Sequence, residues 1–248
     1  MTLKKHIPNL ITLLNLLSGT IAVYLAANGE LIFAAYFIIL GIFFDFFDGL
    51  AARLLKVHSE LGKQLDSLAD VVTSGVAPGI IIFQMLNYKN EVFSVTSDLT
   101  WEENKIDLVP FIGFLITLAA AYRLAKFNID ERQTNSFIGL PTPAAALVVL
   151  SLPLILLYDN SETVAVFITN RWFLIGLTFI LSILMNAEIP LFSLKFKDFS
   201  WRKNSVKYIF IVATIILMLT LKFIAIPIVV LLYVVMSVVG NTLLNKEV

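Results

Sequence analysis

Between Leu31 and Phe44 the chain reads LIFAAYFIILGIFF, without one ionised side chain. A run so apolar has to be kept from water, and about 20 residues of it match the hydrocarbon thickness of a bilayer. Eight such runs recur, near 9–27, 31–55, 66–87, 108–128, 141–159, 172–191, 206–222 and 224–243. They predict an all-α fold, a polytopic membrane bundle of about eight transmembrane helices. Composition agrees: 58% of the residues are hydrophobic, where a soluble domain holds about 45–50%. A formal net charge of zero argues against nucleic acid as a partner. The absence of cysteine excludes disulfides, zinc thiolates and a cysteine nucleophile.

The opening MTLKKHIPNLITLLNLLSGTIAVYLAA has the lysines and apolar centre of a signal peptide. Its length, and polar residues recurring at helical spacing, read instead as a retained first helix. Orientation follows from the basic residues. With an even number of spans and both termini cytoplasmic, all but Lys89, Lys105, Arg171 and Lys222 of the 18 lysines and arginines fall inside.

The second run then breaks its own rule. DFFDGLAARLL places Asp45 and Asp48 at its expected cytoplasmic end. At about 100° per residue from Asp45, Asp48 lies near −60°, Gly49 near +40°, Ala52 near −20° and Arg53 near +80°. One helix face thus carries two acids, two small residues and a guanidinium. The following GKQLDSLADVVTSG spaces Gly62, Asp66 and Asp70 four apart, a second stripe. The short link LLKVHSEL predicts antiparallel neighbours with both stripes near one membrane surface.

A single acid at a helix centre costs about 2.5–3.5 kcal/mol to insert. Four together also repel, so some must be protonated or cations must sit among them. Oxygen ligands without His or Cys favour Mg²⁺ or Mn²⁺ over Ca²⁺. Two such ions, about 3.5–4 Å apart, suit displacement at phosphorus. The rival explanation is a transporter that uses the acids as an ion or proton site.

These residues spell D-x-x-D-G-x-x-A-R, then G-x-x-x-D-x-x-x-D, from Asp45 to Asp70. The pattern resembles the signature of the CDP-alcohol phosphotransferase family, with every fixed position filled. The resemblance implies an integral membrane enzyme of one domain, with a catalytic core over about 1–150 and C-terminal helices over about 151–248. It implies Asp45, Asp48, Asp66 and Asp70 as ligands of two divalent cations, with Asp70 also the general base. Asn9, Thr12, Gly49, Ala52, Arg53, Ser59 and Gly62 would contact or make room for the CDP-lipid. Gly62 and Ala52 would also let the two helices approach closely.

YRLAKFN at Tyr122–Asn128 and FIGLPTPAAA at Phe137–Ala146 resemble the phosphatidylserine-forming branch of the family. That implies CDP-diacylglycerol and L-serine as substrates, with phosphatidylserine and CMP as products. Arg123 is then a candidate for the serine carboxylate, with Asn128 beside it. Glycerol 3-phosphate or inositol phosphate as acceptor would want a denser basic cluster. The resemblance further implies a homodimer in the cytoplasmic membrane of a prokaryote, surrounded by membrane lipids, with its active site facing the cytoplasm.

Overall fold

The computed structural model describes residues 3–57, 59–87, 107–130, 137–192 and 201–244. His58, Lys89, Trp101, Lys105, Arg132, Lys195, Lys197 and Lys246 lie outside the described residues, as do the side chains of Lys4, Lys5, Trp201, Arg202 and Lys203. Helix α1 (Leu3–Ala27) and α2 (Leu31–Leu54) form an antiparallel hairpin. The turn works because Gly29 takes φ 82°, in the left-handed region, letting the Glu30 N–H reach back to the Leu25 carbonyl at 2.9 Å.

Helix α3 (Glu60–Val71) continues through a π-helical turn at Val72–Val76 into α4 (Ala77–Asn87). The π turn falls just before Pro78, which has no N–H to give the carbonyl one turn back. A 3₁₀ turn at Val109–Phe114 leads into α5 (Leu115–Ile129). It packs so tightly on α4 that a Cβ on Gly113 would lie 2.7 Å from the Gly79 carbonyl oxygen.

Helix α6 (Thr142–Tyr158) is buried on nearly every side from Ala145 to Ile155, touching α2, α4 and α10, and forms the centre of the bundle. Helix α7 (Glu162–Ile168) meets α8 (Arg171–Asn186) at a 58° bend. Asn170 starts α8 by accepting from the Trp172 and Phe173 N–H groups. The sixth run, expected to be helical over 172–191, stops at Asn186. Beyond it, β2 (Pro190–Leu191) pairs antiparallel with β1 (Phe137–Ile138).

Helices α9 (Trp201–Leu221) and α10 (Ala225–Leu244) are joined by a 3₁₀ turn at Lys222–Ile224, with Lys222 at φ 49°. By length and hydropathy Asn204–Gly240 counts as one run of 37 residues. It is two antiparallel helices, because the Phe210 and Tyr233 rings lie 5.7 Å apart. In one straight helix those residues would be about 35 Å apart. Four other helical runs among the described residues are long and apolar enough to cross a membrane, and the bent α7–α8 pair makes a further candidate. Large side chains such as Leu17, Phe46 and Leu219 face outward, as expected where lipid is the solvent.

Thr12, Asp48, Asp66, Arg123, Gly139 and Glu188 gather at one end of the bundle. Asp107, Tyr158, Arg171 and Lys222 gather at the other, where Arg171 Nη2 lies 2.6 Å from Asp107 Oδ2.

Candidate active site

Asp45 and Asp48 sit within the last three turns of α2, and Asp66 and Asp70 lie one turn apart on α3. Carboxylate oxygens of Asp45, Asp48 and Asp66 lie within 4.8 Å of one another. Asp48 is only 6% exposed and Asp70 only 8%. Asp45, Asp48 and Asp66 therefore meet across two helices, while Asp70 lies outside that group. The backbone arrangement differs from the expected one. Helices α2 and α3 barely touch each other; both pack along α1. Gly62 faces α1, not Ala52: a Cβ there would lie 3.1 Å from Asn9 Oδ1 and 3.0 Å from Ser59 Oγ. The acidic ends of α2 and α3 are thus spanned by carboxylates instead of backbone packing.

Helix α1 supplies the polar partners. The Thr12 hydroxyl donates to Asp48 Oδ2 at 2.6 Å, and Asn15 Nδ2 donates to Asp70 Oδ1 at 3.2 Å. Thr73, in the π turn, donates to Asn15 Oδ1 at 2.7 Å. Asn15 and Thr73 were not among the residues singled out from sequence. Asn15 stood in plain view, three residues after Thr12 and six after Asn9 on the same helical face. Thr73, seven residues after Asp66 and three after Asp70, likewise continued their stripe in the sequence.

The remaining candidates divide. Gly49 has open space: a Cβ would meet only Arg53 Nη2, at 3.9 Å. Arg53 folds back on its own helix, Nε donating to the Gly49 carbonyl at 2.9 Å. Ser59 caps α3 by accepting from the Gly62 N–H at 3.0 Å. Ala52 is half-buried. Arg123 is buried, with Nη2 donating to the Gly139 carbonyl at 3.4 Å. That contact joins the two sequence stretches YRLAKFN and FIGLPTPAAA. Gly139, at φ 74°, is pressed against α8, where a Cβ would lie 2.5 Å from the Met185 carbonyl oxygen. Arg123 also interacts electrostatically with Asp70 and Tyr233. Asn128 is turned elsewhere: its Nδ2 donates to Ser67 Oγ at 2.9 Å, and its carbonyl accepts from Lys63 at 2.7 Å.

The donor set fits a hard divalent cation. It is all oxygen, and Asp66 Oδ1 is buried without a hydrogen-bond partner among the described residues. An orphaned carboxylate oxygen among like charges is costly unless a cation or proton meets it. An apolar cavity of about 460 Å³ between α6, α7, α8 and α10 lies away from these acids; its lining includes Leu152, Phe167 and Leu231.

A family model described as CDP-alcohol phosphatidyltransferase matches residues 5–185. The chain belongs to the CDP-alcohol phosphatidyltransferase family. The match takes in all four acids, Asn15, Thr73, Arg123 and Gly139, and ends within α8. Membership of a transferase family sets aside the transporter reading of the acids. A CDP-diacylglycerol–serine O-phosphatidyltransferase of Bacillus subtilis is 38% identical over 152 residues, 59% of this chain and 75% of that protein. One of Helicobacter pylori is 32% identical over 198 residues, 78% of this chain and 74% of its own. An archaetidylserine synthase of Methanothermobacter thermautotrophicus is 34% identical over 165 residues, covering 65% and 63%.

Proposed function

We propose that this chain transfers the phosphatidyl group of CDP-diacylglycerol to the hydroxyl of L-serine, giving phosphatidylserine and CMP. The observation that carries the reading is the meeting of Asp45, Asp48 and Asp66 within 4.8 Å at one end of a membrane bundle. It is supported by relatives named as serine phosphatidyltransferases at up to 38% identity. Asp45, Asp48, Asp66 and Asp70 would hold two divalent cations, Mg²⁺ or Mn²⁺ before Ca²⁺. When bound, these supply positive charge against the diphosphate and the transferred phosphoryl group.

The chain's own residues do the rest. The open face over Gly49 lets a nucleotide lie against the α2 backbone. Asn9, Thr12, Ala52, Arg53, Ser59 and Gly62 would contact or make room for the CDP-lipid, Arg53 being suited to phosphate oxygens once it leaves the Gly49 carbonyl. Arg123 receives the serine carboxylate, with Asn128 as a more distant polar neighbour. Asp70 takes the serine hydroxyl proton. The serine oxygen bonds to the lipid-linked phosphorus as the bond to the CMP oxygen breaks. CMP then leaves toward water.

The functional unit is the whole chain, with residues 1–150 as the core. The proposed location is the cytoplasmic membrane of a prokaryote, with the site facing the cytoplasm. The basic residues Lys63, Arg123 and Lys126 at the acidic end favour that orientation. We also propose a homodimer, from the family resemblance, to be read as mass in detergent or nanodiscs.

An acceptor panel tests the reaction. Purified chain is given CDP-diacylglycerol with serine, glycerol 3-phosphate or inositol phosphate, with and without chelator. Metal-dependent CMP release with serine is expected. Faster release with either phosphorylated alcohol would overturn the acceptor.

A further inference from the structure

Thr73, Asn15 and Asp70 form a buried hydrogen-bonded chain at the site. Thr73 Oγ1 lies 2.7 Å from Asn15 Oδ1, and Asn15 Nδ2 lies 3.2 Å from Asp70 Oδ1. Asn15 is wholly buried and Thr73 is 1% exposed. A side-chain amide has an accepting end and a donating end, and nothing intrinsic decides which way it points. Here the Thr73 hydroxyl faces two acceptors, the Asn15 main-chain carbonyl at 3.2 Å and the Asn15 amide oxygen at 2.7 Å, and the shorter bond goes to the amide oxygen. That turns the NH₂ group toward Asp70. The reversed amide would set its oxygen against a carboxylate oxygen.

The placement of Thr73 is built by the backbone around it. The residue lies inside the π turn at Val72–Val76, one turn past Asp70. The wider turn lets its side chain enter the seam between α1 and α2. Two glycines open that seam. A Cβ on Gly19 would overlap the Thr73 hydroxyl, and a Cβ on Gly41 would fall 2.5 Å from Thr73 Cγ2 and 3.0 Å from Asn15 Oδ1. The π turn, the two glycines and the two hydrogen bonds converge on a single side-chain orientation.

We infer that Thr73 and Asn15 are positioning residues for Asp70. Thr73 orients the Asn15 amide, and Asn15 fixes Asp70 Oδ1, leaving the second carboxylate oxygen to face the serine hydroxyl. This rests on the reading of Asp70 as the base, and the experiment separates the two.

Turnover and Michaelis constants are measured for Thr73→Val, Thr73→Ser, Asn15→Ala and the Thr73→Val/Asn15→Ala double variant, beside Asp70→Asn. Thr73→Val keeps the shape and removes the hydroxyl. Its kcat is expected to fall about 10- to 100-fold, with KM for serine and CDP-diacylglycerol within about twofold. Thr73→Ser should recover most of that loss. In the double variant, Thr73→Val should add little to Asn15→Ala, because its effect passes through the amide. Equal losses in Thr73→Ser and Thr73→Val, or additive losses in the double variant, would mean packing alone and overturn the inference. So would wild-type turnover in Asn15→Ala, which also decides the matter should Thr73→Val not fold. If Asp70→Asn alone is inactive, the base reading stands while the positioning role falls. An active Asp70→Asn removes both.

Discussion

The Thr12 hydroxyl sits 2.6 Å from Asp48 Oδ2, joining the first helix to the acidic end of the second. Asp48 is 6% exposed, so this bond is made away from bulk solvent. It holds the carboxylate of a proposed ligand in one orientation. Removing it should loosen metal binding more than it loosens the fold. Thr12→Val is expected to raise the Mg²⁺ concentration for half-maximal CMP release by about 10-fold or more. A metal titration of CMP release checks this; an unchanged midpoint would mean Thr12 serves only to pack α1.

Asp70→Asn keeps the shape of the side chain and its acceptor for Asn15. It removes the capacity to take a proton. Turnover should fall by about 10²–10⁴-fold, the usual worth of a positioned general base. Much of the CDP-diacylglycerol affinity should survive, since Asp45, Asp48 and Asp66 are untouched. Binding of the CDP-lipid to the variant, measured by calorimetry beside the activity assay, separates the two effects.

Two glycines on α2 make opposite predictions. Gly41 is packed against Thr73, and a Cβ there would lie 2.5 Å from Thr73 Cγ2. Gly41→Ala should therefore cost about 1–3 kcal/mol through overpacking and lower the melting temperature. A Cβ on Gly49 would meet only Arg53 Nη2, at 3.9 Å. Gly49→Ala should leave the melting temperature unchanged or raised, as a helix gains about 0.5–1 kcal/mol from alanine. Its cost should appear as a raised KM for CDP-diacylglycerol. A destabilised Gly49→Ala would show that this glycine serves packing.

The contrast marks how far the sequence could be read. Asp45, Asp48, Asp66 and Asp70 were legible as two stripes because helical period fixes which side chains share a face, whatever the helices then do. The path of the helices was not legible in the same way. A short link between α2 and α3 predicts a close pair, yet α3 lies along α1. The reason is tertiary: Gly19 and Gly41 open a seam that Thr73 fills from the π turn. Thr73 lay on the face of Asp66 and Asp70, but no periodic pattern announces the π turn that seats it in that seam. Asn15 continued the ladder of Asn9 and Thr12 and needed only one more turn. The end of α8 at Asn186 was hidden because apolar Ile189 and Leu191 follow it, in the segment that pairs with Phe137–Ile138.

Removal of metal should show in stability as well as in rate. Asp45, Asp48 and Asp66 crowd their oxygens within 4.8 Å, and Asp66 Oδ1 has no hydrogen-bond partner among the described residues. A cation bound there stabilises the folded chain in proportion to RT ln(1 + [L]/Kd), about 2.7 kcal/mol at a hundredfold excess over Kd. Chelator should abolish CMP release and lower the melting temperature; Mg²⁺ or Mn²⁺ should restore both, Ca²⁺ less so. Asp66→Asn should shrink the metal-dependent rise in melting temperature. A rise of equal size in that variant would place the ion elsewhere.

Arg123 offers the sharpest test of the acceptor. It is buried, its Nε has no hydrogen-bond partner among the described residues, and its hydrogen bond to the Gly139 carbonyl is long at 3.4 Å. Such a guanidinium is under-used and is free to grip a carboxylate with two parallel N–H groups. Lysine keeps the charge and loses the fork. Arg123→Lys is therefore expected to raise KM for serine by about 10- to 100-fold, equivalent to a charge-assisted hydrogen bond of about 1.5–3 kcal/mol, while KM for CDP-diacylglycerol stays nearly constant. Serine methyl ester, which lacks the carboxylate charge, should be a poor acceptor for the wild type and lose little further in the variant. If both Michaelis constants rise together, Arg123 acts through Asp70 and the geometry of the whole site, and the serine carboxylate is bound by other groups.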